Sequence, residues 1–301
     1  MPIVELNNIR KVYDTKVAVE GLSLVIEPGT MFGLLGPNGS GKTSSIRMMI
    51  GMTVPDFGEV KLFGQPFSRA ALHRVGYLPE ERGLYKKMKV LDQLVFLGQL
   101  HGLTEGVARQ RALAWCERMQ ITEAMEKKTE ELSKGMQQKI QFIAALLHEP
   151  ELIIMDEPFS GLDPVNATLL MDTLVALRGE GKAILFSTHR MDQVEKLCDA
   201  IALISRGQLV LSGSMREIKS RYPRNRVHVV FSGDDSFLRH PGVTLAKNYA
   251  GIAEMTVQSE AAAQQILAEA LARGTVINKF EVVEPTLEDI FIEAVGGEAD
   301  A

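Results

Sequence analysis

Apolar positions come in short runs at the start of the chain and in wider-spaced stripes through its middle. Ile3–Leu6, Val17–Glu20 and Leu22–Ile26 read as strands separated by polar turns. After the Pro28-Gly29 turn, Met31–Leu35 is a mostly apolar run, the kind left by a strand buried on both faces. Gly36 to Gly41 is glycine-rich, and Thr43–Met49 continues as a helix. From about Leu91 to Leu147 the pattern is helical, with Val107, Ala108, Leu113, Ala114 and Trp115 marking a partly buried stripe. Glu151–Met155 and Lys182–Ser187 read as further buried strands, separated by a helical Val165–Arg178. Strands alternating with helices predict an α/β core around a largely parallel sheet.

The pattern changes at the basic, proline-containing segment Arg221–Arg226. Beyond it come strands at Val227–Phe231, near Ala253–Val257 and near Val276–Val283, with a helix over Ala261–Arg273. The expected domains are therefore a large α/β domain over 1–220 and a small C-terminal α+β domain over 226–295. Apolar residues including Val227, Val229, Val230, Ile252, Met255, Ile266, Leu271 and Val276 supply the small domain's expected core. Leu287, Ile290, Phe291 and Ile292 make a further helical stripe with no evident partner inside so small a domain, so it is expected to pack against the large domain or a second copy of the chain. Gly296–Ala301 is expected to fray.

Composition narrows the class. A net charge of −5 argues against a surface built to hold nucleic acid. Two cysteines, Cys116 and Cys198, are too few for a disulfide scaffold and fit a reducing compartment. No stretch reaches the roughly 18 apolar residues of a membrane span, and the first residues carry charge too early for a signal-peptide core. The expectation is a cytoplasmic chain whose membrane role, if any, comes through a partner.

Gly36-Pro37-Asn38-Gly39-Ser40-Gly41-Lys42-Thr43 has the spacing of a phosphate-binding loop between a buried strand and a helix. Glycines let backbone N–H groups turn inward around phosphate oxygens, and the helix N-terminus adds positive charge. Lys42 would reach the β- and γ-phosphates, and the Thr43 hydroxyl would ligate Mg²⁺. The run Leu152–Met155 then delivers Asp156 and Glu157 at a strand end. Asp156 would hold Mg²⁺ through water, and Glu157 would polarise the water that attacks the γ-phosphorus. Alone, two acids after an apolar run could be a solvated strand exit. With the phosphate loop they describe an ATPase.

Leu132-Ser133-Lys134-Gly135-Met136-Gln137-Gln138 resembles the signature motif of ABC ATPases. Ser160–Asp163 is similar to that family's D-loop, Ser187-Thr188-His189 to its switch, and Tyr13 to the aromatic that stacks on adenine. Taken singly, His189 suits a strand end, Tyr13 a half-buried strand, and Ser133 and Gly135 an N-cap and a turn. Together and in family order, they identify the region from about Pro2 to Ser220 as resembling an ABC cassette. The resemblance implies a P-loop cassette with a helical lobe at about 81–147 and ATP and Mg²⁺ as cofactors. It also implies that Ser133 and Gly135 face the γ-phosphate, and that His189 serves catalysis. Two departures stand out: Lys134 and Met136 within the signature, and Glu80 where the family has a glutamine, a carboxylate still able to ligate Mg²⁺. Glu284–Phe291 is similar to the ending of ATPase subunits that serve ABC-2-type exporters of drugs or sodium.

That resemblance further implies a head-to-tail pair with a second nucleotide-binding subunit, a homodimer being the simplest form. A membrane-spanning permease would hold the pair on the inner face of the cell membrane, and no nucleic acid is expected. A ribosome-acting relative would usually carry two cassettes, and a chromosome-type ATPase would need a long coiled-coil insertion. A non-hydrolysing regulator is the remaining alternative, against which Glu157 and His189 speak.

Overall fold

A computed structural model describes residues 1–81, 83–222 and 225–296. The chain divides into two compact units, Met1–Ser214 and Met215–Ala301. The first unit runs through β1 (Val4–Tyr13), β2 (Lys16–Ile26), β3 (Met31–Leu35), α1 (Lys42–Met49), β4 (Phe57–Leu62), β5 (Gln65–Pro66) and β6 (Val75–Leu78). It continues with α2 (Val90–Leu100), α3 (Glu105–Arg118), α4 (Lys134–Leu146), β7 (Leu152–Asp156) and α5 (Pro164–Gly179). It ends with β8 (Ala183–Thr188), α6 (Met191–Leu197), β9 (Ala200–Ser205) and β10 (Gln208–Ser214). The second unit holds α7 (Met215–Ser220), β11 (Arg226–Ser232), β12 (Val243–Tyr249), β13 (Ile252–Val257), α8 (Glu260–Ala272), β14 (Val276–Val283) and α9 (Leu287–Gly296).

Two sheets build the first unit. One has the order β10-β9-β3-β8-β7-β6 and is parallel except for β10 at its edge. Every residue of β3, β7 and β8 is buried, which is why these strands read as continuous apolar runs. The other sheet, β2-β1-β4-β5, is antiparallel. Here the sequence reading is corrected: Val17–Glu20 and Leu22–Ile26 are one strand, kinked at Gly21, whose φ is 67°. The β1–β2 register shifts between the Ile9 and Lys11 pairs, so the glycine accommodates a bulge rather than a turn. A core drawn from both sheets and α1 includes Leu6, Ile26, Leu34, Ile46, Met49 and Leu185. Cys116 and Cys198 are free and buried, and burial pushes both thiols up, Cys116 to about 11.

In the second unit, a sheet of order β12-β13-β11-β14 carries α8 against one face. Val227, Val229, Phe231, Ala253, Met255, Val257, Ala263 and Ile266 form its core. Val230, expected in that core, pairs with Ile252 on the opposite face of the sheet, where Ile252 is exposed. Leu271 and Val276 are exposed as well. Strand alternation is the reason for Val230, Ile252 and Val276, since chain neighbours of inward-facing strand residues must point away from the core. Leu271 instead lies in α8, on a face other than the buried one that carries Ile266 and Ala270. Of the apolar stripe on α9, Leu287 and Ile290 are buried within the single chain and Ile292 stands exposed. The fraying expected past Gly296 lies outside the described residues.

Candidate functional site

β3 ends at Leu35, and the chain turns at once through the glycine loop into α1. Gly36 and Gly41 have φ of 148° and 111°, and an added Cβ would stand 2.1 Å from the Ile204 carbonyl oxygen and 2.4 Å from that of Ala18. Only glycine lets the backbone pass there. Such a loop at a helix N-terminus presents N–H groups and a positive dipole end, the requirements of a phosphate cradle.

Lys42 opens α1 and is only 6% exposed. Its Nζ donates to the carbonyl oxygens of Gly36 at 2.7 Å and Pro37 at 3.1 Å. Burial draws the ammonium below its ordinary pKa, while Glu157, Asp156 and Glu80 draw it back up. Across from it, Asp156 is buried at the end of β7 and accepts a hydrogen bond from the Ser187 hydroxyl. Glu157 takes a left-handed backbone with φ of 49°, a strained choice for a non-glycine residue. Its N–H donates to the Ser187 carbonyl at 3.1 Å, and Nδ1 of His189 lies 2.9 Å from its Oε1.

A cavity of about 340 Å³ gathers Tyr13, Asn38, Gly39, Gly41, Lys42, Thr43, Glu80, Asp156 and Glu157. Gly36, Pro37 and Ser40 stand behind it: the first two accept from Lys42, and the Ser40 hydroxyl is buried without a partner. Ser133 and Gly135 do not line this cavity. Ser133 caps α4, accepting from the Met136 N–H at 3.3 Å, while Gly135 lies inside the helix rather than in a turn. Sequence reasoning did not single out Lys16, Ala18 or Ser44, which also line the cavity. It also missed the Ser187 hydroxyl, although the residue was visible beside His189. Strand register, which no local pattern reveals, puts Ser187 opposite Asp156.

The donors suit Mg²⁺. Thr43, Glu80 and Asp156 offer hard oxygen atoms only, and among the described residues no group of three or more His, Cys, Asp or Glu could hold a metal. A cation here would share its shell with nucleotide oxygens, the usual mode for Mg²⁺.

Comparison with known proteins leads to the same place. The ABC transporter family profile matches residues 19–160, and that of the ATP-binding protein DrrA1-3-like C-terminal domain matches residues 213–295. The uncharacterized ABC transporter ATP-binding protein YhaQ of Bacillus subtilis (strain 168) is 45% identical over 295 residues, covering 98% of this chain and 99% of the relative. The linearmycin resistance ATP-binding protein LnrL of the same organism is 32% identical over 311 residues, covering 98% of each. The Nod factor export ATP-binding protein I of Rhizobium sp. (strain N33) is 30% identical over 304 residues, covering 99% of this chain and 98% of the relative. A solved ATP-binding subunit of an ABC transporter matches with a TM-score of 0.68 at 27% identity, over 73% of this chain and 92% of its own. Similarity of this degree, sustained along nearly the whole length, makes the chain a member of the ABC transporter family, as one of its ATP-binding and ATP-hydrolysing subunits.

Proposed function

We propose that two copies of this chain pair head to tail, each lending Ser133 and Gly135 to the ATP site of the other, and drive export through a separate membrane-spanning subunit. One observation carries the pairing: the cavity with the phosphate loop and both acids contains neither signature residue. A γ-phosphate there needs donors on its open side, and a second chain is the available source.

Within each site Lys42 exchanges the loop carbonyls for β- and γ-phosphate oxygens. Tyr13, on the cavity wall, stacks on adenine. Thr43, Asp156 and Glu80 would hold Mg²⁺, which would supply positive charge to offset that of the phosphate oxygens. Glu157 accepts the proton of the attacking water, and His189, 2.9 Å away, orients that carboxylate.

Among the described residues no helix is long and apolar enough to cross a membrane, so transport requires a permease from another chain. An apolar groove of about 420 Å³ between Met52, Tyr77, Leu84, Leu97 and Ala144 suits its docking, beside the exposed Lys86 and Lys87. Binding there would hold the subunit at the inner face of the cell membrane. The names of the linearmycin-resistance and Nod-factor-export relatives favour export as the direction.

Size-exclusion chromatography of Glu157→Gln with ATP tests the pairing. An ATP-dependent shift to twice the mass is expected, and it should vanish when Ser133→Arg is added. A monomer throughout would sink the head-to-tail reading.

A further inference from the structure

β8 lies beside β7 in parallel register, with Ser187 opposite Asp156. The strand is otherwise apolar up to this point, and Ser187 is completely buried. A buried hydroxyl is costly unless its hydrogen bonds are made. Here they are, and both go to acids of the ATP site. The hydroxyl donates to Oδ1 of Asp156, and its oxygen accepts the Glu157 N–H at 3.3 Å. The Ser187 carbonyl accepts that same N–H at 3.1 Å. Two residues further on, His189 reaches the Glu157 carboxylate. Ser187 therefore holds the Asp156 carboxylate through its hydroxyl, and the Glu157 main chain through both its hydroxyl and its carbonyl.

We propose that Ser187 is a positioning residue for ATP hydrolysis, fixing the rotation of the Asp156 carboxylate and the left-handed turn at Glu157. With Oδ1 held by a fixed donor, the carboxylate cannot turn freely, and Oδ2 is the oxygen left for the cation's shell. Hydrogen bonds of this kind behind a metal-binding carboxylate typically change metal affinity or activity by about 10–100-fold. Anchoring the Glu157 N–H matters for a different reason. A left-handed non-glycine residue relaxes unless its surroundings hold it, and relaxation would swing the general base away from the water. The inference rests on Asp156 being the cation's carboxylate.

The test measures Mn²⁺, the spectroscopic stand-in for Mg²⁺, binding to the ATP-loaded full chain by electron paramagnetic resonance. Four proteins are compared: parent, Ser187→Ala, Asp156→Ala and the double variant. Ser187→Ala should raise the Mn²⁺ dissociation constant about 10–100-fold in the parent. In the Asp156→Ala background it should change it by less than about twofold, because Ser187 acts through the residue removed. Binding of a fluorescent ATP analogue in EDTA should be unaltered. Parental Mn²⁺ affinity in Ser187→Ala overturns the inference, as does an equal loss in both backgrounds. An equal loss of metal-free nucleotide binding also overturns it, since that would mean general damage to the fold. Unchanged Mn²⁺ affinity in Asp156→Ala would instead remove the reading of Asp156 itself.

Discussion

Glu157 combines a nearly buried side chain, a left-handed backbone and a histidine at 2.9 Å, so its carboxylate has little freedom to be anywhere else. Glu157→Gln keeps the shape and removes the basicity. Turnover should fall by about 10²–10⁴-fold with nucleotide binding retained, measured by phosphate release and by titration of a fluorescent analogue. Lys42→Ala is expected to act in the opposite way, because that ammonium is the cation the loop directs into the cavity. Its loss should show first as weakened ATP binding in the same titration. That Lys42 and Glu157 belong to one site was legible because phosphate chemistry dictates residue types at fixed local spacing, and both line the same cavity. The Ser187 contact was not, because a hydroxyl meeting a carboxylate 31 positions away depends on which strands lie side by side.

Among the elements, β3, β7 and β8 were readable because a strand covered on both faces leaves an uninterrupted apolar run. β4 and β12 escaped the reading for the converse reason. β4 is exposed over its first half and β12 over nearly all its length, so neither shows strong alternation. β6, β9 and β10 were also passed over, although β6 and β9 are largely buried. The glycine loop supports a graded prediction. Gly36→Ala must push a carbon against the Ile204 carbonyl, whereas Gly39→Ala has open space and meets only the penalty of its 77° φ. Gly39→Ala should cost about 1–3 kcal/mol by thermal or denaturant unfolding. Gly36→Ala should cost more and also abolish binding of the ATP analogue. Equal behaviour of the two variants would contradict the close approach seen at Gly36.

At the scale of the molecule, the two units have separate apolar cores, one around Leu34 and Leu185 and the other around Val229 and Ile266. Ile266→Ala should destabilise the second unit by about 2–5 kcal/mol while leaving ATP-analogue binding unchanged, as read by calorimetry and titration on one sample. A general shape for that second unit was legible, but its inner and outer faces were not: Val229 and Val230 are the same residue type one position apart. Only pairing with Ile252 and Lys279 puts Val230 on the outer face. The enclosure of Cys116 and Cys198 has a practical consequence at this scale. Thiols that stay protonated and out of reach make the folded chain nearly silent toward maleimides, with two sulfurs per chain reacting only after denaturation. The wild-type protein thus already serves as a blank background for site-directed labelling. A cysteine written into exposed Lys134, another into exposed Asn38, and an oxidant added with ATP would turn the proposed pairing into a covalent band on a gel.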